Sequence, residues 1–163
     1  MMFGMTPFLF VHVLVSLVGI LSGLVVLGGL LTAKRMPTTT FVFLATTIGT
    51  SATGFFLPAD RLLPSHIVGI ISLVILAIAL IALYVYRIAG PWRWIYVVAA
   101  TAALYLNVFV LIAQSFLKLP ALHALAPTQA EPPFAIAQGG VLLIFIALGV
   151  LATKRFHPRT GGL

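Results

Sequence analysis

The stretch FLFVHVLVSLVGILSG, from Phe8 to Gly23, is apolar almost throughout and decides the class of the fold. Comparable runs recur along the 163-residue chain, which is 62% hydrophobic and 7% charged, with a mean hydropathy of +1.23. A soluble domain needs far more polar surface, whereas runs of about 20 apolar residues match the hydrocarbon core of a bilayer. The sequence therefore predicts one all-α domain, a bundle of helices within a membrane, because lipid offers no partner to open backbone groups.

Five transmembrane helices are predicted, and prolines or basic residues mark most of their ends. They cover residues 8–31, 40–57, 64–86, 92–117 and 134–153. The second is short, and an alternative with four spans leaves it as a re-entrant or interfacial segment. That alternative puts Arg87 and Arg93 on the outer side, so the charge distribution favours five spans.

The nine basic residues fall unequally on the two sides of this arrangement. One side receives Lys34, Arg35, Arg87, Arg93, Lys154, Arg155 and Arg159, and the other receives Arg61 and Lys118. Short cytoplasmic segments carry an excess of lysine and arginine, so the N-terminus is expected outside and the C-terminus in the cytoplasm. The net charge of +7 then follows from membrane topology, and no nucleic-acid partner is expected. The expected location is a bacterial-type inner membrane, which the chain crosses several times.

Small and polar residues indicate which helix faces look into the bundle. His12, Ser16, Gly19 and Gly23 share one face of the first span, so His12 is expected to point at another helix. A polar intramembrane stripe is predicted from Thr46 and Thr50 of the second span and Asn107 and Gln114 of the fourth. This stripe suits either close helix packing or the wall of a passage for a small solute. Proton relays usually place an ionisable residue in mid-membrane, and its absence here weighs against an ion-coupled pump.

Both acids and three of the four histidines are expected at the outer side. His12 and His66 begin spans that run in the same direction, so helical rise puts them at similar depth. Two imidazoles on separate helices suit the binding of a b-type haem or of a divalent metal. His123 or Glu131 would supply a further metal ligand. The alternatives are that these histidines are structural, since no spacing motif joins them, or that they act as a pH sensor.

Three functions fit these features. The first is a haem- or metal-binding electron-transfer membrane subunit with a site in the outer leaflet. The second is an accessory or assembly subunit of a larger membrane complex, and the third is a small-solute channel or transporter. The lipid bilayer is the expected surrounding, with a homo-oligomer or a larger membrane complex as further partners. No enzymatic activity is assigned.

Overall fold

The computed structural model describes residues 6–56 and 64–158, without the side chains of residues 64 and 65, and its regular elements are all helical. They are α1 (Pro7–Leu31), α2 (Pro37–Gly54), α3 (Pro64–Leu80) with a π-helical turn (Ile81–Val85), α4 (Trp92–Lys118), α5 (Pro120–Leu125) and α6 (Pro132–Arg155). Proline stands in the first turn of α1, α2, α5 and α6, where the missing N–H would have no helical partner anyway. The prolines seen in the sequence therefore do mark where most helices begin.

Four of the described helices are long and apolar enough to cross a membrane. They are Pro7–Leu31, His66–Val85, Trp92–Lys118 and Pro132–Arg155. They match the first, third, fourth and fifth predicted spans. The predicted second span forms α2, which is rich in threonine, less apolar, and not one of the four. The chain is thus an all-helical protein with the length and composition of a multi-pass membrane protein.

Helix α1 packs antiparallel against α2 along most of its length. Nδ1 of His12 lies 2.8 Å from Oγ1 of Thr53, and Oγ of Ser16 lies 3.3 Å from Oγ1 of Thr50. Further along α1, Gly23 lies against the ring of Phe43. Residues further along α1 therefore contact residues earlier in α2, as expected for antiparallel helices. The shared glycine and hydroxyl surfaces let the two backbones come close, as is common between helices in lipid.

Helix α4 also runs antiparallel to α1 and lies at the centre of the bundle. Gly19 packs near Asn107, and Gly23 packs against Leu104. On its other side α4 meets α6, where Thr101 contacts Gly149 and Tyr105 contacts Phe145. Helix α4 thus joins α6 to the bundle on one side and contacts α1 on the other.

The apolar core lies in one half of the bundle, which we call the Arg93 end; the opposite half is the His12 end. The most deeply buried large side chains are Phe43, Leu44, Leu76, Val97, Leu104 and Phe156. At the Arg93 end, Nη1 of Arg93 donates hydrogen bonds to the carbonyl oxygens of Thr153 (3.0 Å) and Phe156 (2.6 Å). Carbonyls at a helix C-terminus lack helical partners, so this arginine satisfies the end of α6 and ties it to α4.

Candidate functional site

A cavity of about 370 Å³ lies among α1, α2, α3 and α4 at the His12 end. Most of its wall is aliphatic, and its polar lining includes His12, Ser16, Thr50, Asn107, Gln114 and Lys118. Ligand pockets typically enclose about 300–1,000 Å³ and combine apolar walls with a few convergent polar groups. The cavity fits that description at the lower end of the size range.

The floor of the cavity is formed where α1 and α4 come close. Nδ2 of Asn107 donates a hydrogen bond to Oγ1 of Thr47 (3.1 Å), and both side chains lie against Gly19. One turn further toward the Arg93 end, a Cβ atom on Gly23 would come within 2.6 Å of Leu104 and 2.8 Å of Phe43. Leu104 and Phe43 are each 1% exposed. The cavity is therefore closed by packed apolar side chains on the side of the Arg93 end.

His12 and Gln114 lie at the same level, above this floor. Because α1 and α4 are antiparallel and Gly19 lies beside Asn107, counting seven residues back along α1 and seven forward along α4 reaches this pair. Seven residues of helix rise about 10 Å. Both side chains line the cavity, so α1 contributes an imidazole and α4 an amide at one depth.

The hydrogen bonds of Thr53 determine which nitrogen of His12 carries the proton. Oγ1 of Thr53 donates its single proton to the carbonyl oxygen of Gly49, 2.7 Å away. Because the hydroxyl has one proton, both contacts of Oγ1 are hydrogen bonds at the same time only when Nδ1–H of His12 donates to it. Neutral imidazole protonated on Nδ1 leaves a lone pair on Nε2, and no described residue donates a hydrogen bond to it. His12 thus presents an oriented acceptor in the wall of the cavity.

His66 lines the same cavity from α3, next to the end of α2. Its ring stacks on that of Phe55, with 5.7 Å between centroids and 15° between planes. His12 lies against the other side of this turn, with Cε1 3.8 Å from where a Cβ would stand on Gly54. The two histidines expected to share a site therefore line one cavity, on either side of the C-terminal turn of α2.

His123 and Glu131 are not part of this cavity's lining. His123 is exposed on α5, and Glu131 accepts hydrogen bonds from the backbone and hydroxyl of Thr128 and from the N–H of Ala130. Desolvation is the largest single influence and acts to raise the pKa of the Glu131 carboxyl, but the hydrogen bonds together outweigh it and hold the pKa below its usual value. Within residues 6–56 and 64–158, no three acidic or histidine side chains form a group that could hold a metal ion.

The polar stripe expected from the sequence divides between two roles. Thr50, Asn107 and Gln114 line the cavity, whereas the hydroxyl of Thr46 donates a hydrogen bond to the carbonyl oxygen of Val42, at 2.6 Å. Thr46 lies beside Gly19 at the floor, outside the cavity's lining. Its role in the described part of the chain is therefore in packing between helices.

Two features of the site were not expected from the sequence. The stack of Phe55 on His66 and the hydrogen bond from Ser51 to Ser72 (3.2 Å) both join α2 to α3. The sequence around these residues does not indicate either contact, because an aromatic residue or a serine in an apolar helix can equally well face lipid.

Comparison with protein-family models, with curated proteins and with solved structures gives no match for this chain.

Proposed function

We propose that this chain is a five-span inner-membrane protein, with its N-terminus outside, that binds a small molecule in the cavity at its outer, His12 end. The antiparallel pairing of α1 and α2 supports the fifth span. Contacts run from His12 beside Thr53 to Gly23 beside Phe43, so α2 occupies the same depth as α1. An 18-residue helix is about 27 Å long, close to the hydrocarbon thickness. Its threonines donate to carbonyls a turn earlier, which lowers their cost in lipid.

The distribution of charge supports the orientation. Six of the seven basic residues expected in the cytoplasm lie in the described chain, at or beyond helix ends of the Arg93 half. Lys118 ends α4 at the His12 half, and Arg61 and Arg159 lie outside the described residues. An excess of basic residues on the cytoplasmic side is the general pattern of such proteins. The cavity would then face the outer leaflet.

One observation carries the binding function. The cavity has polar groups on its wall, yet it ends at a floor of packed residues, with Phe43 and Leu104 almost completely buried below it. A passage for a solute needs continuity through the bundle, which this packing does not provide. A cavity closed at one end is the geometry of a binding site, so binding is favoured over transport.

A pair of valines in α1 provides the test. Val13 lines the cavity, whereas Val11 is 57% exposed and lies outside its lining. We expect purified protein in detergent to bind the apolar fluorescent probe 1-aminoanthracene. Val13→Trp should weaken that binding at least about tenfold because an indole fills much of the space, whereas Val11→Trp should leave it unchanged. Equal binding by both variants and the unmodified protein would refute the site.

A redox cofactor is the second candidate, and His12 favours it. Histidines that bind metals generally donate their other ring N–H to a fixed partner, as Nδ1–H of His12 does to Thr53. In this form of the proposal, His12 and His66 hold a b-type haem or a divalent metal and the protein serves electron transfer. Protein purified from its native membrane should then show a Soret band or a stoichiometric metal. His12→Ala should lose it, and His123→Ala, an exposed histidine outside the cavity's lining, should keep it.

A colourless and metal-free preparation from the native membrane would refute the redox candidate without affecting the binding of apolar molecules. If neither a cofactor nor the probe binds, an accessory role in a larger membrane complex becomes the leading proposal. That role predicts co-purification with partner subunits.

A further inference from the structure

The exposure of two residues that line the cavity, one on α1 and one on α4, indicates that the cavity opens on the side of the bundle between these helices. These helices are closest where Gly19 and Gly23 meet Asn107 and Leu104, and the cavity lies between them beyond that point. Leu17 and Leu111 line the cavity and are still 38% and 39% exposed. Leu17 lies about 7.5 Å along α1 from His12, and Leu111 lies about 10.5 Å along α4 from Lys118. The exposed edge therefore extends well into the depth of the helices, where the surroundings of a membrane protein are lipid.

The chemistry of the lining indicates an uncharged occupant. Among the described residues that line the cavity, Lys118 carries the only permanent charge, and it lies exposed at the rim. Below it the polar groups are neutral amides, hydroxyls and imidazole. A charged group at that depth would lose its hydration without gaining a counter-ion, which is costly in a membrane. The aliphatic wall suits an apolar body, and Gln114 and His12 suit a small polar head.

His12 and Gln114 further restrict that head group. Nε2 of His12 is a hydrogen-bond acceptor, because Nδ1–H is held by Thr53. Its natural complement is a hydroxyl donor. The amide of Gln114, at the same level on the opposite helix, can either donate to an oxygen or accept from a hydroxyl. The stacked rings of Phe55 and His66 provide flat aromatic wall at this end of α2, and aromatic rings prefer offset or edge contacts with other rings.

We propose that the cavity binds a membrane-soluble hydroquinone, which enters from the outer leaflet between α1 and α4 and donates a hydroxyl hydrogen bond to Nε2 of His12. The second ring oxygen of such a molecule is available to Gln114. This inference rests on the proposed binding function and names the class of molecule bound. It claims recognition of the ring and its hydroxyl, and it includes no electron-transfer step.

The test separates the hydroxyl from the rest of the molecule. Decylubiquinol, kept reduced under anaerobic conditions, and its di-O-methyl ether have similar apolar bodies, but only the first donates a hydrogen bond. Each is titrated against protein that holds 1-aminoanthracene. We expect the quinol to displace the probe at about a tenfold lower concentration than the ether, as one hydrogen bond to an oriented acceptor allows.

Substitutions then attribute the preference to His12. His12→Leu should bring the ratio between quinol and ether to about one, and His123→Leu should leave it unchanged. Thr53→Val retains the imidazole but removes its hydrogen-bonded partner, so the ratio should fall toward one there as well, even if His12→Leu fails to fold. Gln114→Leu should weaken the binding of the quinol by a larger factor than it weakens the binding of the probe.

The outcomes that overturn the inference differ from those that overturn the proposed function. Probe binding that is sensitive to Val13→Trp, together with equal displacement by quinol and ether, would refute the hydroquinone and leave the binding cavity in place. A preference for quinol that survives in both His12→Leu and Thr53→Val would also refute it. Failure of the probe to bind at all would refute the binding function and this inference with it.

Discussion

Single glycines decide how closely α1 approaches its neighbours. Gly23 faces Phe43 of α2 and Leu104 of α4, and a methyl group there would overlap both. Gly28, on the same helix, would place its Cβ within 4 Å of no other side chain or neighbouring backbone. Substitution of Gly23 therefore tests close packing between helices, whereas substitution of Gly28 tests only the low helix propensity of glycine.

Alanine at these positions should therefore act in opposite directions. We expect Gly23→Ala to lower the free energy of unfolding by about 1–3 kcal/mol, since overpacking strains the contact. Gly28→Ala should raise it by up to about 1 kcal/mol, because alanine is the better helix former. Thermal unfolding in detergent, followed by circular dichroism, measures both. If Gly23→Ala is as stable as Gly28→Ala, the close approach of α1 to α4 is wrong.

Asn107 has a second, separate role at the floor of the cavity. Its amide donates to Thr47, so loss of the amide removes one interhelical hydrogen bond. Such bonds in membrane bundles contribute on average about 0.6 kcal/mol, at most about 1.7 kcal/mol. A double-mutant cycle of Asn107→Leu and Thr47→Val should show a coupling energy in that range. Purely additive effects would contradict the hydrogen bond.

At the scale of elements, the end of α6 depends on a side chain from α4. Arg93 donates to the carbonyl oxygens of Thr153 and Phe156, and Phe156 is 2% exposed and packs beside Tyr96. Charged hydrogen-bond donors contribute more than neutral ones. Arg87, in contrast, is exposed in the turn before α4 and belongs to the same end of the bundle.

Replacing these arginines gives a matched pair of variants. Each change to leucine removes one positive charge from the same end. Arg93→Leu should lower the stability by about 1.5–3 kcal/mol because it leaves the α6 carbonyls unpaired, and Arg87→Leu should change it little. Urea or thermal unfolding in detergent distinguishes them. Equal effects would mean that the charge, and not the hydrogen bonds, stabilises this end.

Element positions could be predicted from the sequence because proline, glycine and basic residues act locally. The predicted span 134–153 compares with α6 at Pro132–Arg155, and the predicted span 92–117 with α4 at Trp92–Lys118. The second span was less well placed: it was predicted over 40–57, whereas α2 covers Pro37–Gly54. The earlier start of α2 follows from Pro37, whose fixed φ and missing N–H suit the first turn of a helix.

The candidate site could be predicted only in part. The geometry of one helix places His12 on the face with Ser16 and Gly19, and it does contact α2. The enclosure of the cavity depends on how helices far apart in sequence pack. No local pattern in Phe43 or Leu104 indicates that these side chains close it. The shape of the cavity follows from this packing between helices and could not be predicted from the sequence alone.

At the scale of the whole molecule, the two ends of the bundle differ. The Arg93 end holds the apolar core and most of the described basic residues, whereas the His12 end holds the cavity. Four of the helices in the described part of the chain are long and apolar enough to cross a membrane, and the proposal adds α2 as a fifth span. An odd number of spans places the termini on opposite sides. Ala124 on α5, at the His12 end, and His157 after α6, at the Arg93 end, are exposed, so they report on the two ends of the bundle.

Labelling of single cysteines tests this arrangement without background, because the chain has no cysteine of its own. We expect Ala124→Cys to react with a membrane-impermeant maleimide in intact cells. His157→Cys should react only after permeabilisation. The reverse pattern would invert the orientation, and labelling of α1's N-terminal end on the same side as His157 would leave an even number of spans.

The π-helical turn at Ile81–Val85 contains one residue more per turn than an α-helix, with the N–H of Tyr86 bonded to the carbonyl oxygen of Ile81 (3.1 Å). It precedes the parallel stack of Tyr86 on Trp92, whose centroids are 3.8 Å apart. A deletion of one residue inside this turn would convert it to ordinary helix and leave the flanking residues facing as before. A deletion anywhere earlier in α3 would rotate all that follows by about 100°. This short segment is therefore where the chain can absorb a change of length without losing the register of its helices.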